Sequence, residues 1–233
     1  IFLKSIKLGP EICELAGEGK MLKELTISAY GLVELPDGFA EFGKNLEMLD
    51  LSSNNFEYKD DNTFNKNGLG VINYTNFNKL KKLRLNKITR YDTTRDLSQV
   101  AETDSVGFRW NTGFGTFANE PTQVTNSEYF KMLLKWEQLE ELSLSLNLLE
   151  GELPSDKQLI EELNIEPYTE SFLNEMPYYT DSISKTDADR YLLKVDNETG
   201  KAAPRVWPKM KSLSLNLNFL TGKLPKWILY HPY

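Results

Sequence analysis

The chain contains one segment that is written twice. Residues 136–154 read WEQLEELSLSLNLLEGELP and residues 207–225 read WPKMKSLSLNLNFLTGKLP, so they agree at 10 of 19 positions. Such a repeat indicates a small unit that cannot bury its apolar face alone and must stack on its neighbours. This requirement constrains the fold more than any other feature of the sequence. The shared residues are Trp136/Trp207, Leu142/Leu213, Ser143/Ser214, Leu144/Leu215, Leu146/Leu217, Asn147/Asn218, Leu149/Leu220, Gly151/Gly222, Leu153/Leu224 and Pro154/Pro225.

The repeated spacing is L-x-x-L-x-L-x-x-N-x-L, and it fits the chain five times. In each copy L-x-L alternates with period two, which predicts a short strand with both leucines on one face. Stacked copies would join these strands into a parallel sheet over a continuous core. The Asn of each copy should bond exposed backbone in the turn after the strand, which predicts a structural role for Asn54, Asn147 and Asn218. The repeats begin near Leu22, Leu46, Leu80, Leu139 and Met210, with Tyr30 and Ile88 at the Asn position of repeats 1 and 3, and a fainter match lies at Leu3, Ile6, Leu8 and Cys13.

The spacing is that of leucine-rich repeats, and the continuation L-x-G-x-L-P in repeats 4 and 5 resembles the plant-type subclass. The resemblance implies an α/β right-handed solenoid with a parallel β-sheet on the concave face and long loop insertions. It also implies a binding protein rather than an enzyme. The irregular repeats and long insertions resemble surface or secreted proteins of gut bacteria, which predicts an extracellular or cell-surface location.

The distances between repeats predict one domain over residues 1–233 with insertions at about 57–76, 89–130 and 155–205. We interpret the first insertion as a turn-rich loop. Helices are predicted after Ser127, near 159–163 and near 187–194, and a hairpin over 194–206. Both chain ends look truncated, so either further repeats follow or the segment WILYHPY folds back as a cap.

Composition excludes several classes of protein. The net charge of −7 disfavours nucleic-acid binding, and no apolar run is long enough for a membrane helix. The single cysteine permits no intrachain disulfide, unlike plant receptors of this repeat class, which usually close their ends with paired cysteines. The acidic and amide cluster of residues 60–67 lacks the spacing of an EF-hand loop, so we predict no metal and no cofactor.

Catalysis has little support in the sequence. His231 is the sole histidine, and no nucleophile motif accompanies it. The outward strand positions form the predicted binding surface instead, and a protein is the predicted partner. The residues proposed for this surface are Lys82, Arg84, Asn86, Glu141, Ser143, Ser145, Ser212, Ser214 and Asn216.

Two other functions stay open at this point. Aromatic residues among Gly, Thr and Asn in the insertions would suit a glycan-binding or glycan-processing module, although they would also serve as local cores. A structural spacer within a longer surface protein is the third possibility. The aromatic residues are Phe108, Trp110, Phe114 and Phe117, and Tyr168, Phe172, Tyr178 and Tyr179.

Overall fold

The computed structural model describes nine stretches of the chain. They are residues 22–28, 31–56, 61–88, 90–91, 110–111, 127–147, 149–166, 191–195 and 202–231. The faint repeat at Leu3 to Cys13, Tyr30 and most of the aromatic residues of the insertions lie outside them.

Short strands and helices alternate along these stretches. The strands are β1 (Glu24–Thr26), β2 (Met48–Asp50), β3 (Lys82–Arg84), β4 (Arg90–Tyr91), β5 (Trp110–Asn111), β6 (Glu141–Ser143), β7 (Glu150–Glu152), β8 (Leu193–Val195), β9 (Ala202–Pro204), β10 (Ser212–Ser214) and β11 (Phe219–Thr221). The α-helices are α1 (Asp61–Lys66), α2 (Glu128–Leu134), α3 (Asp156–Leu163) and α4 (Lys226–Leu229), and 3₁₀-helices cover Phe39–Lys44 and Leu69–Val71.

The five repeats supply one parallel sheet with the strand order β1-β2-β3-β6-β10. Every strand starts two residues after the first leucine, or methionine, of its repeat, so equivalent residues pair across the sheet. Leu25, Leu49, Leu83, Leu142 and Leu213 form one such row. The fold is therefore mixed α/β with a five-stranded parallel sheet, which is compatible with a leucine-rich-repeat solenoid.

The alternating leucines account for the core beneath this sheet. Leu49, Leu51, Leu83 and Leu85 are fully buried, as are the equivalent leucines of repeat 4. At roughly 25 cal/mol per Å² of buried apolar surface, each such side chain contributes about 2 kcal/mol when the repeats stack. Trp136, Trp207 and Phe77, at the same position of three repeats, are also buried and belong to the core.

In repeats 2 to 5, the strand ends in a turn with a left-handed residue just before the Asn position. Lys87, Leu146 and Leu217 have φ values of 52°, 60° and 56°, and Ser53 has 59°. The L-x-G-x-L-P continuation forms a second parallel pair, β7 with β11. Its glycines Gly151 and Gly222 have φ values of 78° and 81°, where a side chain would be strained.

The first insertion was predicted as a turn-rich loop, and this prediction is wrong for residues 61–66 and 69–71. Residues 61–66 form α1 and residues 69–71 form a 3₁₀-helix. Phe64, Leu69 and Ile72 are buried in the main core, and the Tyr129 hydroxyl donates to the Ile72 carbonyl at 3.0 Å. The apolar residues between the Asp and Asn residues therefore fold this segment onto helix α2.

The later insertions agree better with the sequence. Helix α2 begins after Ser127, whose hydroxyl accepts from the Phe130 amide, and α3 contains the predicted segment 159–163. The predicted hairpin is confirmed by the antiparallel pair β8 and β9. The helix predicted near 187–194 is wrong at its end, because Leu193 already belongs to β8.

The segment WILYHPY packs beside repeat 5. Trp227, in α4, is buried, with its ring centre 5.5 Å from that of Trp207, and its indole N–H donates to the Pro154 carbonyl at 2.7 Å. The helix therefore covers the underside of repeat 5. It leaves Leu217 and Leu224 exposed.

Candidate functional site

The predicted surface residues lie on β3, β6 and β10 and in the turns that follow these strands. Lys82, Glu141 and Ser212 share one row of the sheet, and Arg84, Ser143 and Ser214 share the next. Alternation along a strand points these side chains away from the leucine core. The structure therefore brings the nine residues together on one face of the sheet.

Five of these residues, which we name the polar strip, are Asn86, Ser143, Ser145, Ser214 and Asn216. The Asn86 side-chain oxygen accepts from the Ser143 hydroxyl at 2.7 Å and from the Ser145 amide at 2.8 Å. The Asn216 oxygen accepts from the Ser145 hydroxyl at 2.6 Å and also from Ser214. The bonds run across three successive repeats, so the side chains hold one another in place.

Ser145 was expected to be exposed, and the structure corrects this expectation. It is only 8% exposed, because its hydroxyl lies between Ser214 and Asn216. It supports the strip from beneath. The remaining members of the strip are half-buried or exposed.

A charged pair borders the strip. The Arg84 guanidinium donates to Glu141 through Nε at 2.7 Å and through Nη2 at 2.6 Å, both to the same carboxylate oxygen. The Arg84 and Glu141 side chains are 41% and 24% exposed, so a partner can reach them. Lys82, in the neighbouring row, is exposed. The face thus offers fixed donors and acceptors beside an accessible ion pair.

Sequence reasoning missed a row of alternating charge, which we name the charge row: Lys23, Glu47, Lys81, Glu140 and Lys211. Each member directly follows the first leucine or methionine of its repeat. Glu47 pairs with Lys23 at 2.5 Å and with Lys81 at 2.9 Å, and Glu140 pairs with Lys211 at 2.7 Å. Aligning the repeats and comparing the sign of this one position would have found it.

The hydrogen bonds of the charge row shift the pKa values of several of its members. Hydrogen bonds from Lys23 and Lys81 lower the pKa of Glu47 to about 2. The hydrogen bond from Lys211 lowers the pKa of Glu140, and that to Glu47 raises the pKa of Lys81. The lysines are exposed and the glutamates are partly exposed, so the row favours pairing between neighbouring repeats more than it adds to stability.

The side chains of the three asparagines after the strands bond backbone groups. Asn54 donates to the Ile27 carbonyl at 2.7 Å, and Asn147 donates to the Leu85 carbonyl at 2.6 Å. Asn218 donates to the Leu144 carbonyl at 2.9 Å. Each asparagine thus bonds the preceding repeat, as expected for a structural residue.

A polar groove lies away from the sheet face, with a volume of about 630 Å³. Residues of the first insertion form one wall, and helices α2 and α3 form the other. Tyr74 is 45% exposed there, beside several side-chain amides. The lining residues are Phe64, Asn65, Asn73, Tyr74, Thr75, Asn76, Lys131, Met132, Lys135 and Glu162.

Some predicted positions lie beyond the reach of the structure. Asp60, Phe108, Phe114 and Phe117 lie outside the described residues, as do the four aromatic residues of 168–179. Among the described residues, no group of three or more His, Cys, Asp or Glu side chains is arranged to hold a metal ion. Across the same ranges, no helix has the length and apolar character needed to span a membrane.

Comparison with known families agrees with the spacing of the repeats. The family model described as Leucine Rich Repeat matches residues 45–67, which include repeat 2 and β2. The chain thus contains a leucine-rich repeat, and this suggests a scaffold for protein interaction. Neither the curated proteins nor the solved structures gave a match.

Proposed function

We propose that this chain is a non-enzymatic leucine-rich-repeat scaffold that binds a protein partner through the sheet face carrying the polar strip. The repeats would form a right-handed solenoid with this face on its concave side. By resemblance, the site of action would be the cell surface or the exterior of a bacterium. No cofactor or metal enters the proposal.

The observation that carries the proposal is the mutual bonding of the polar strip. Side chains that are already held in one arrangement lose little conformational freedom on binding, which lowers the cost of association. Ser and Asn are small, so the backbone of a partner can approach the sheet closely. The Arg84–Glu141 pair adds charges of both signs at the border of the strip, and such pairs favour one orientation of the partner.

The experiment is a binding screen of the chain against a panel of host proteins and a glycan array. Each hit is retested with Ser214→Trp, which places a bulky ring in the strip, and with the exchange Arg84→Glu/Glu141→Arg. The exchange keeps an ion pair within the chain but swaps the positions of the positive and negative charges that a partner would meet. Lys157→Glu is the matched control, since its side chain is 86% exposed on α3, away from the sheet.

The proposal expects a protein hit whose affinity falls at least about tenfold in the first two variants and is unchanged in Lys157→Glu. Circular dichroism should show the same unfolding midpoint for all four chains within a few degrees. A protein hit insensitive to both sheet variants would move the binding surface elsewhere and contradict the proposal.

A glycan-binding module is the second candidate, and the polar groove favours it. An exposed Tyr74 ring beside the amides of Asn65 and Asn76 offers an apolar face and hydrogen-bonding groups, as sugars require. This candidate predicts saturable sugar binding that is lost in Tyr74→Ala and retained in Ser214→Trp. Loss in Trp110→Ala would instead implicate the second insertion.

A further inference from the structure

The left-handed residues of the turns after the strands form a row beside the polar strip, which we name the turn column. The Lys87 amide donates to the Ser145 carbonyl at 3.0 Å, and the Leu146 amide donates to the Asn216 carbonyl at 3.1 Å. The backbone bonding between repeats therefore continues through the turns and holds the members of the column side by side. These members are Ser53, Lys87, Leu146 and Leu217, with φ values between 52° and 60°.

Leu146 is an unusual residue for its place in this column. A left-handed backbone disfavours large side chains such as leucine, and Leu146 is nevertheless 44% exposed. Repeat 4 has a neighbouring strand on both sides, so this exposure follows from the position of Leu146 in its turn. Leu217 has the same position and is also exposed. Residues that bear strain without entering the core are typical of binding surfaces.

Lys87 adds a charge beside the two leucines. It is exposed, and within the described ranges it joins no ion pair, whereas Lys81 and Arg84 of the same repeat pair with Glu47 and Glu141. Residues 79–88 contain five Lys or Arg and no Asp or Glu, in a chain of net charge −7. The Lys87 ammonium is therefore available to a carboxylate of another molecule.

The spacing of the column matches that of an extended peptide. Adjacent strands lie about 4.8 Å apart, so the point midway between Leu146 and Leu217 lies about 7 Å from Lys87 along the column. In an extended chain, side chains two residues apart point the same way and lie about 6.7 Å apart. A peptide that crosses the strands can therefore place one side chain at Lys87 and the next but one between the two leucines.

We propose that the turn column selects the partner by binding an extended protein segment in which an acidic and a large apolar residue lie two positions apart. The carboxylate pairs with Lys87, and the apolar side chain packs between Leu146 and Leu217. This assignment rests on the proposed function, because Asn86 and Ser145 of the polar strip directly precede Lys87 and Leu146. It adds the chemistry by which the same face would recognise its partner.

The probe is a library of random 12-residue peptides displayed on phage and selected on the immobilised full chain. Two variants test the column. Leu146→Asn removes the apolar side chain and keeps a residue that tolerates the left-handed turn, and Lys87→Glu reverses the charge. Ser214→Trp blocks the polar strip, and Lys157→Glu on α3 is the matched control. Selected peptides are then synthesised, and their binding is measured by fluorescence anisotropy.

Selection on the parent chain should enrich Asp or Glu two positions from Leu, Ile, Met or Phe. The peptides should bind with a Kd below about 1 mM and at least about fivefold more weakly to Leu146→Asn, which loses part of a buried apolar contact. Lys87→Glu should weaken binding about three- to tenfold, the range for one exposed charge pair and its reversal. Selection on Lys87→Glu should enrich Lys or Arg instead. Lys157→Glu should bind as the parent does.

Three results would overturn the inference. The first is a selection on the parent chain that enriches no peptide, and the second is enrichment without the acidic and apolar spacing. The third is equal binding of the selected peptides to the parent, Leu146→Asn and Lys87→Glu. If Ser214→Trp still abolishes that binding, the polar strip remains the binding surface and only the role of the column falls. Binding that also survives Ser214→Trp would contradict the proposed function as well.

Discussion

Repeats 4 and 5 share more than half of their residues, yet their leucines occupy different environments. Leu142, Leu144 and Leu149 are fully buried in repeat 4. Their counterparts in repeat 5 are Leu213, Leu215 and Leu220, and all three are only partly buried. The sequences at these positions are identical, so the difference comes from position in the stack.

The comparison shows that a repeat is buried by its neighbours and not by its own residues. Repeat 4 has repeat 3 on one side and repeat 5 on the other. Within the described ranges, repeat 5 has repeat 4 beside its strand and helix α4 beneath it. In such an array each repeat adds little stability by itself, and the interfaces between neighbouring repeats add most of it.

The largest expected effect comes from truncating the matched leucines. Leu142→Ala should lower the free energy of unfolding by about 3 kcal/mol, because a fully buried leucine leaves a cavity. Leu213→Ala should lower it by about 1 kcal/mol, since water already reaches that side chain. Urea denaturation of both variants measures the difference. Equal losses would show that the two repeats are equally buried and would break the comparison.

Replacing the asparagine should also destabilise the chain more in repeat 4 than in repeat 5, although the difference should be smaller than for the leucines. Asn147 is fully buried, and Asn147→Ala would leave the Ile88 amide and the Leu85 carbonyl without their partner, at a cost of about 2–3 kcal/mol. Asn218 is half-buried, so water can replace part of its bonding in Asn218→Ala and the loss should be about 1 kcal/mol. Thermal unfolding ranks the two variants, and the reverse order would contradict the comparison.

The left-handed turn gives a way to stabilise the chain at repeat 5. Leu217 has a φ of 56° and is 67% exposed, so it bears backbone strain with little compensating burial. Asn tolerates this conformation better than Leu. Leu217→Asn should therefore raise the free energy of unfolding by about 0.5 kcal/mol. Leu146→Asn, at the equivalent turn, should gain less because Leu146 is 44% exposed and loses more contact. Denaturation curves of the two variants measure which substitution gains more stability.

The charge row allows the smallest effect to be tested. The pKa of Glu140 is lowered chiefly by its hydrogen bond to Lys211 of the last repeat. A carboxylate with a lowered folded pKa adds stability above its unfolded value of about 4.5, and this is lost as the pH falls through the folded value. Lys211→Met should raise the pKa of Glu140 and leave that of Glu47 unchanged in an NMR titration. A shift at Glu47 would mean that the row is coupled along its whole length.

The repeating part of the fold was predictable from the sequence, and its physical basis explains why. The period-two leucines require a strand with one buried face, and the row from Leu25 to Leu213 follows directly from that requirement. The N-cap at Ser127 and the hairpin of β8 and β9 were likewise predictable, because their signals are local. The placement of Lys82, Arg84 and Ser214 on one face followed from the same alternation.

The remainder depended on contacts that a single segment does not reveal. The helix α1 escaped prediction because its few apolar residues, such as Phe64, gain their burial from Tyr129 and helix α2, far along the chain. Ser145 was expected to be exposed because the sequence of repeat 4 does not show the hydrogen bonds that Ser145 forms with repeat 5. The paired residues of the charge row lie 24 to 71 positions apart in the sequence. The alternation of their charges is therefore visible only after the strands are aligned.

Among the described residues, the strand of repeat 4 has a neighbouring strand on both sides, whereas the strand of repeat 5 pairs with that of repeat 4 alone. Native-state hydrogen exchange of four amides tests it directly. The Leu144 and Leu146 amides should exchange slowly, because each donates to repeat 5, and the Leu215 and Leu217 amides should exchange at least about 100-fold faster. Equal protection of the two pairs of amides would show that repeats 4 and 5 are equally enclosed and would contradict this difference.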